Sequence, residues 1–126
     1  MAVLVDSSIW IDYFRGGEKS KDLDCLIDEN LIATNEIILT ELIPYLKVKR
    51  QTKLIQLLRE IDTLPLNIHW EEIIEFQVKC LRAGANRVGI PDLIIAQNVI
   101  QNRCKVYSID KHFRLMNPIL KVGLYP

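Results

Sequence analysis

Four carboxylates in this chain stand where the surrounding residues give no simple reason for a charge. Asp6 follows the apolar run Ala2 to Val5. Glu41 lies inside "IILTELIPYL", Asp92 opens "DLIIAQNVI", and Asp110 ends "KVYSI". Taken one at a time, the aspartates have ordinary uses. Asp6 and Asp110 fit as N-caps of following helices, worth ~1 kcal/mol each, and Asp92 suits a helix N-terminus. Glu41 offers no such use, since it falls in mid-helix among Ile37, Ile38, Leu42 and Tyr45.

Brought to one place, four acids would repel one another, and at least one would stay protonated. A divalent cation removes that conflict. Oxygen ligands without His or Cys suit Mg²⁺, with Mn²⁺ as a substitute, rather than Zn²⁺. An ion held by few carboxylates keeps waters and accepts substrate phosphates, which points to metal-assisted phosphodiester hydrolysis.

The elements that must position these acids alternate along the chain. "AVLV" reads as a buried strand of parallel type, and "SSIWIDYFRG" as a helix closed by Gly16 and Gly17. "SKDLDCLIDEN" is a short amphipathic helix and "LIAT" a second strand. Helical patterns follow from Glu36 to about Val48 and in "KLIQLLREI", then "TLPL" is a short strand or connector. "HWEEIIEFQVKCLRAGA" is the clearest helix, with Trp70, Ile73, Ile74, Val78 and Leu81 as its apolar face. Pro91 suits the first position of the next helix. "KVYSI" is a strand, "DKHFRLM" a helical turn and "LKVGLY" a last strand. Strands separated by helices imply an α/β chain, a three-layer α/β/α sandwich around a mainly parallel sheet. Ligands in such folds gather at the carboxyl ends of strands, where Asp6 and Asp110 fall.

The 126 residues, 1–126, are expected to form a single domain with a real core. Acidic and basic residues balance at 16 each, so any field that attracts a polyanion must be local. Cys25, Cys80 and Cys104 form no C-x-x-C pair and read as buried thiols of a reducing compartment. No apolar run reaches the ~18 residues of a membrane span. A cytoplasmic protein without membrane contact is the expectation.

The order "LVDSSIWIDYFRG … TELIPYL … VGIPDLIIAQ … VYSIDKHF" resembles the PIN-domain ribonucleases, and most of all the VapC-type toxins of VapBC toxin–antitoxin pairs. The resemblance spans essentially the whole chain. It implies a PIN-like fold, an acidic Mg²⁺ site and cleavage of transfer or ribosomal RNA. Carried over by position, the catalytic acids are Asp6, Glu41, Asp92 and Asp110. Asp6, Asp92 and Asp110 hold the metal directly or through water, and Glu41 orients the attacking water. Ser8 and Ser108 match hydroxyl positions beside the first and last aspartates and are supporting candidates. The resemblance also implies a homodimer and a VapB-type antitoxin whose terminal segment enters the active-site groove.

Other residues complete the expectation. Pro44 is predicted to kink the helix that carries Glu41. His112 is left outside the site as a surface residue. Asp12 is read as structural, paired with Arg15. Lys47, Lys49, Arg50 and Lys53, with Arg82, Arg87, Lys111 and Arg114, flank the acids and could steer phosphates. Trp10, Tyr13 and Phe14 serve the core or an interface. A phosphatase that begins with a strand and an aspartate needs a second acid two residues later, where Ser8 stands. A catalytically silent PIN-fold module that binds RNA or protein is the competing reading, weakened because all four acids are present.

Overall fold

The computed structural model describes residues 2–126. Three strands lie side by side: β1 (Val3–Val5), β2 (Ile32–Thr34) and β4 (Lys105–Tyr107), with the two-residue β3 (Asp62–Thr63) at one edge. All pairings are parallel, in the order β3-β2-β1-β4. Leu4 sits between Ala33 and Val106 in register. β1 and β2 are buried along their whole length, which is why they read as unbroken apolar runs rather than as alternation.

Among the described residues, seven helices cover the sheet: α1 (Ser7–Phe14), α2 (Leu23–Asp28), α3 (Glu36–Val48), α4 (Thr52–Arg59), α5 (Trp70–Arg82), α6 (Ile90–Gln101) and α7 (Lys111–Leu120). The chain moves outward from β1 through β2 to β3, then returns across the sheet to β4. Right-handed crossovers then set the first helices on one face and the later ones on the other. The packing follows this rule: α3 touches α1 and α4, whereas α5, α6 and α7 touch one another. The architecture is the expected three-layer α/β/α sandwich around a parallel sheet.

Helix α6 is the centre of the second layer. Leu93 through Val99 are all buried, including the polar Gln97 and Asn98. Buried amides need partners, and both have them. Gln97 exchanges hydrogen bonds with the backbone of His69, its Oε1 accepting from the His69 N–H at 3.2 Å and its Nε2 donating to the carbonyl at 3.2 Å. Asn98 donates to the Pro65 carbonyl (3.1 Å) and accepts from Asn35 Nδ2 (2.9 Å). Asn35 in turn caps α3, its Oδ1 accepting from Ile38 N–H at 2.9 Å. One fully buried bridge thus ties the start of α3 to the middle of α6.

Several expectations need correction. "LKVGLY" is not a strand: α7 runs on to Leu120, and only a single parallel bridge, Val106 to Leu124, remains for the tail. α5 buries Ile73, Phe76 and Cys80, while Trp70, Ile74 and Leu81 are more than half exposed. The apolar stripe of α5 is wider than the groove that α6 and α7 offer it, and Phe76 and Cys80 centre the buried part. Pro44 does not interrupt α3, which continues to Val48. Pro44 and Thr40 are both exposed, so water can take the carbonyl that proline leaves without a donor. Cys80 and Cys104 are buried, but Cys25 is exposed.

Asp12 is structural, though not through Arg15, with which it forms no ion pair. Its Oδ2 accepts from Ser20 N–H at 2.9 Å. Its carboxylate fills the space beside Gly17, where a Cβ would come within 2.1 Å of Oδ1, so residue 17 has no room for a side chain. Among the described residues, no helix is long and apolar enough to cross a membrane.

Candidate active site

The strand order reverses between β1 and β4, and this crevice is where an open parallel sheet gathers ligands. The backbone N–H of Asp6 donates to the Tyr107 carbonyl (2.9 Å), fixing the ends of the two strands together. Asp6 is only 5% exposed. It occupies the N-cap position of α1, yet its side chain makes no capping bond. Instead its Oδ2 accepts from both Ser8 Oγ (2.7 Å) and Ser108 Oγ (2.8 Å). The capping explanation for Asp6 therefore fails on geometry. Two hydroxyls hold one oxygen, and no protein donor among the described residues reaches Oδ1.

The hydroxyls form a small lattice between the strand ends. Ser8 Oγ and Ser108 Oγ lie 3.2 Å apart. Ser8 Oγ accepts from Ile109 N–H (3.1 Å), and Ser108 Oγ from Asp110 N–H (2.9 Å). Thus the loop after β4 is shaped by the same serines that orient Asp6. Asp110 does cap its helix, Oδ1 accepting from His112 N–H at 2.9 Å. Asp92 accepts from Gly89 N–H (3.3 Å) in the first turn of α6. A capping use does not remove these two acids from the site, because each carboxylate has a second oxygen.

Glu41 arrives from α3, in the opposite layer. It is an exposed residue, but its neighbours desolvate the carboxyl enough to raise its pKa above the usual range. Burial is the largest cause, and the charges of Asp6, Asp92 and Asp110 add to it. The four sequence-predicted acids therefore share one electrostatic neighbourhood. Asp92 is also pushed up, chiefly by burial and then by Asp110, against the lowering effect of the Gly89 N–H and of His112.

His112 does not stay outside. Its Nδ1 lies 3.0 Å from Asp92 Oδ2 and 3.4 Å from Asp110 Oδ1, and the ring is partly buried. Donor atoms of Asp92, Asp110 and His112 all fall within 4.8 Å of one another. The sequence signal was present, since two residues after an N-cap aspartate is the first turn of a helix, on the side facing the cap. A donor set of carboxylates and one imidazole fits a divalent cation that is six-coordinate and retains water. Arg87 and Lys111 join His112 and Asn86 around a surface pocket of about 400 Å³. Neither cation is engaged by a carboxylate, so the acidic centre adjoins a basic recess.

The charges predict a signed pH dependence. Glu41 and Asp92 bind their protons more tightly folded than unfolded. The stability this lends is full below the ordinary carboxylate pKa of about 4 and is lost as pH rises through the raised folded values. In EDTA, Glu41→Gln will therefore melt higher than the parent protein at pH 8. The difference will close towards pH 4 and shrink when Mg²⁺ or Mn²⁺ is added. Thermal midpoints across that range check this; a variant that melts lower at pH 8 contradicts it.

An α/β domain with acids near the carboxyl edge, at the switch point of a parallel sheet, is of the class that gathers its ligands in that crevice. The PIN domain family matches residues 3–117, and the chain belongs to that family. Among solved structures, a chain in the crystal structure of VapBC2 from Rickettsia felis, bound to a DNA fragment from their promoter, is similar. The two superpose with a TM-score of 0.74 over 99% of this chain and 98% of that one, at 21% identity. That likeness shows a shared fold. A search of curated proteins finds no match.

Proposed function

We propose that the protein is a Mg²⁺-dependent endoribonuclease, with Mn²⁺ as an alternative ion, acting as the toxin of a type II toxin–antitoxin pair. The observation that carries this reading is the electrostatic neighbourhood that Glu41 shares with Asp6, Asp92 and Asp110. Asp6, Asp92 and Asp110 would hold the ion, with Asp6 offering the oxygen that the serines leave free. When bound, the ion lowers the pKa of a coordinated water and neutralises charge developing on the phosphate. Glu41 orients the attacking water, and its raised pKa makes it a stronger proton acceptor than an ordinary carboxylate. Ser8 and Ser108 keep the Asp6 carboxylate from rotating. The substrate is structured RNA of the transfer or ribosomal kind, cut by water to leave a 5′ phosphate.

Arg87 and Lys111 supply phosphate contacts beside the cut. Metal-loaded protein will cleave RNA in Mg²⁺ and not in EDTA. With two to three phosphate contacts, substrate affinity will fall about tenfold or more between 50 and 200 mM salt. Cleavage that persists in EDTA refutes the proposed chemistry, and a flat salt profile removes Arg87 and Lys111 from the substrate path.

The partner is a VapB-type antitoxin, as in the assembly that the Rickettsia felis structure contains. An apolar groove of about 380 Å³ between α1, α2 and α4 supports this, lined by Trp10, Tyr13, Phe14, Ile27, Leu54 and Leu57. The exposed Trp70, Ile74 and Leu81 on α5 support a homodimer. A cytoplasmic site of action agrees with an exposed thiol at Cys25 and an RNA target. Expression should arrest growth, and co-expression of a cognate VapB-type antitoxin should restore it.

A further inference from the structure

The four carboxylates leave one donor of the centre without a role. His112 lies on the first turn of α7, and its ring enters the gap between acids that come from two different elements. The backbone holds it there: His112 N–H donates to Asp110 Oδ1, so the acid beside the ring also starts the helix that carries the ring. The second acid is held from α6 by Gly89 N–H. Nδ1 thus stands 3.0 Å from one carboxylate oxygen and 3.4 Å from the other. Neighbouring ligands in an octahedral shell of about 2.1 Å radius are about 3 Å apart. The imidazole–carboxylate spacing is that of an octahedral edge.

Imidazole is a softer donor than carboxylate or water. Mg²⁺ keeps to oxygen, whereas Mn²⁺ and the later first-row ions gain from nitrogen. We propose that His112 Nδ1 is a direct ligand of the ion at this centre and biases it towards Mn²⁺ over Mg²⁺. The inference rests on reading the acidic pocket as a cation centre, and it names a donor that a four-acid account omits. Ligation uses the tautomer with its proton on Nε2, leaving the Nδ1 lone pair free. Without the ion, a hydrogen bond between Nδ1 and Asp92 keeps the ring at the same place. Exchanging the hydrogen bond for ligation frees the Nδ1 lone pair, the Nδ1 proton leaving to solvent while Nε2 carries the ring's remaining proton.

The test reads the ion itself rather than turnover. Metal-free protein is titrated with Mn²⁺ and with Mg²⁺ by calorimetry, and the Mn²⁺ complex is examined by electron spin-echo spectroscopy for a directly bound ¹⁴N. The parent protein should show the nitrogen coupling. His112→Gln should lose it and bind Mn²⁺ about 10-fold or more weakly, with Mg²⁺ affinity changed only slightly. A Mn²⁺ complex of the parent protein without nitrogen coupling overturns the proposal while leaving the acidic centre intact. Equal weakening of both ions also overturns it, because a ring that merely positions Asp92 would produce that result. If the parent protein binds neither ion, the cation centre itself falls and the inference with it. The spectrum of the parent protein decides the matter even if the variant folds poorly.

Discussion

Asp92→Asn will cut metal-dependent RNA cleavage by about 10²–10³-fold while leaving the fold intact. The size follows from what the proposed role would remove: one charged ligand of the ion, at a partly desolvated position, where charge stabilisation of several kcal/mol is at stake. The fold should survive because the change relieves a conflict. Asp92 lies near Asp110, and its carboxyl is desolvated, so the metal-free protein carries the cost of that charge at neutral pH. An amide of the same shape still accepts from Gly89 N–H through its oxygen. The variant should therefore melt no lower than the parent protein in EDTA, yet gain less from added Mg²⁺. Asp6→Asn should lose activity similarly, because its Oδ2 partners are hydroxyls that an amide oxygen can also satisfy. Full activity in both variants, measured on one RNA under saturating Mg²⁺, would remove these residues from the reaction.

The second large effect is on stability and lies away from the acids. Asn98→Ala will cost about 3 kcal/mol, because it strands the buried Asn35 amide, worth ~1–3 kcal/mol when left unpartnered, and empties a fully buried side-chain position. Asn35 Nδ2 loses its acceptor and the Pro65 carbonyl loses its donor. Asn35 and Asn98 are 0% and 2% exposed, so water cannot readily replace the acceptor that Asn35 loses, whereas Pro65 is exposed and its carbonyl can take a water instead. For a chain of 126 residues that loss corresponds to a drop of about 10 °C in the melting midpoint. Asn102→Ala provides the control. Its Nδ2 donates to the Asn98 carbonyl from an exposed position, and its removal should cost under ~0.5 kcal/mol. Equal midpoints for the two variants in a thermal melt would show that the Asn35–Asn98 bridge is not a principal tie between the layers. The bridge matters for the site as well, since it joins α3, which bears Glu41, to α6, which bears Asp92. Asn98→Ala should weaken Mg²⁺ binding even at temperatures where it remains folded.

Local pattern was enough for much of this molecule. Continuous apolar runs mark β1 and β2 because both faces of the sheet are covered, and α3 begins and ends where its periodicity predicts. The acids were legible for a related reason. A carboxylate that breaks an apolar run costs stability, so Asp6, Glu41, Asp92 and Asp110 attract notice before any coordinates exist. Errors arose where the outcome depends on a neighbour. α5 carries more apolar surface than its partners cover, so which side faces inward is set by α6 and α7 and not by its own periodicity. The tail after α7 makes one bridge because the helix uses up the residues a strand would have needed.

His112 and Asn98 show the same division most plainly. In the sequence, His112 is a polar residue in a helical turn, and Asn98 interrupts an apolar helix with no visible partner. Their roles depend on Asp92, twenty residues from the histidine, and on Asn35, sixty-three residues from the asparagine. By itself the sequence determined β1, β2, β4, most of the helices and the list of acids, since each follows from contacts within a few residues. Only the tertiary structure decided that a parallel sheet reversing its order between β1 and β4 would bring those acids, two serines and one imidazole together. Hydrogen bonds and charge act over a few ångströms of space, whatever length of chain lies between the groups that make them.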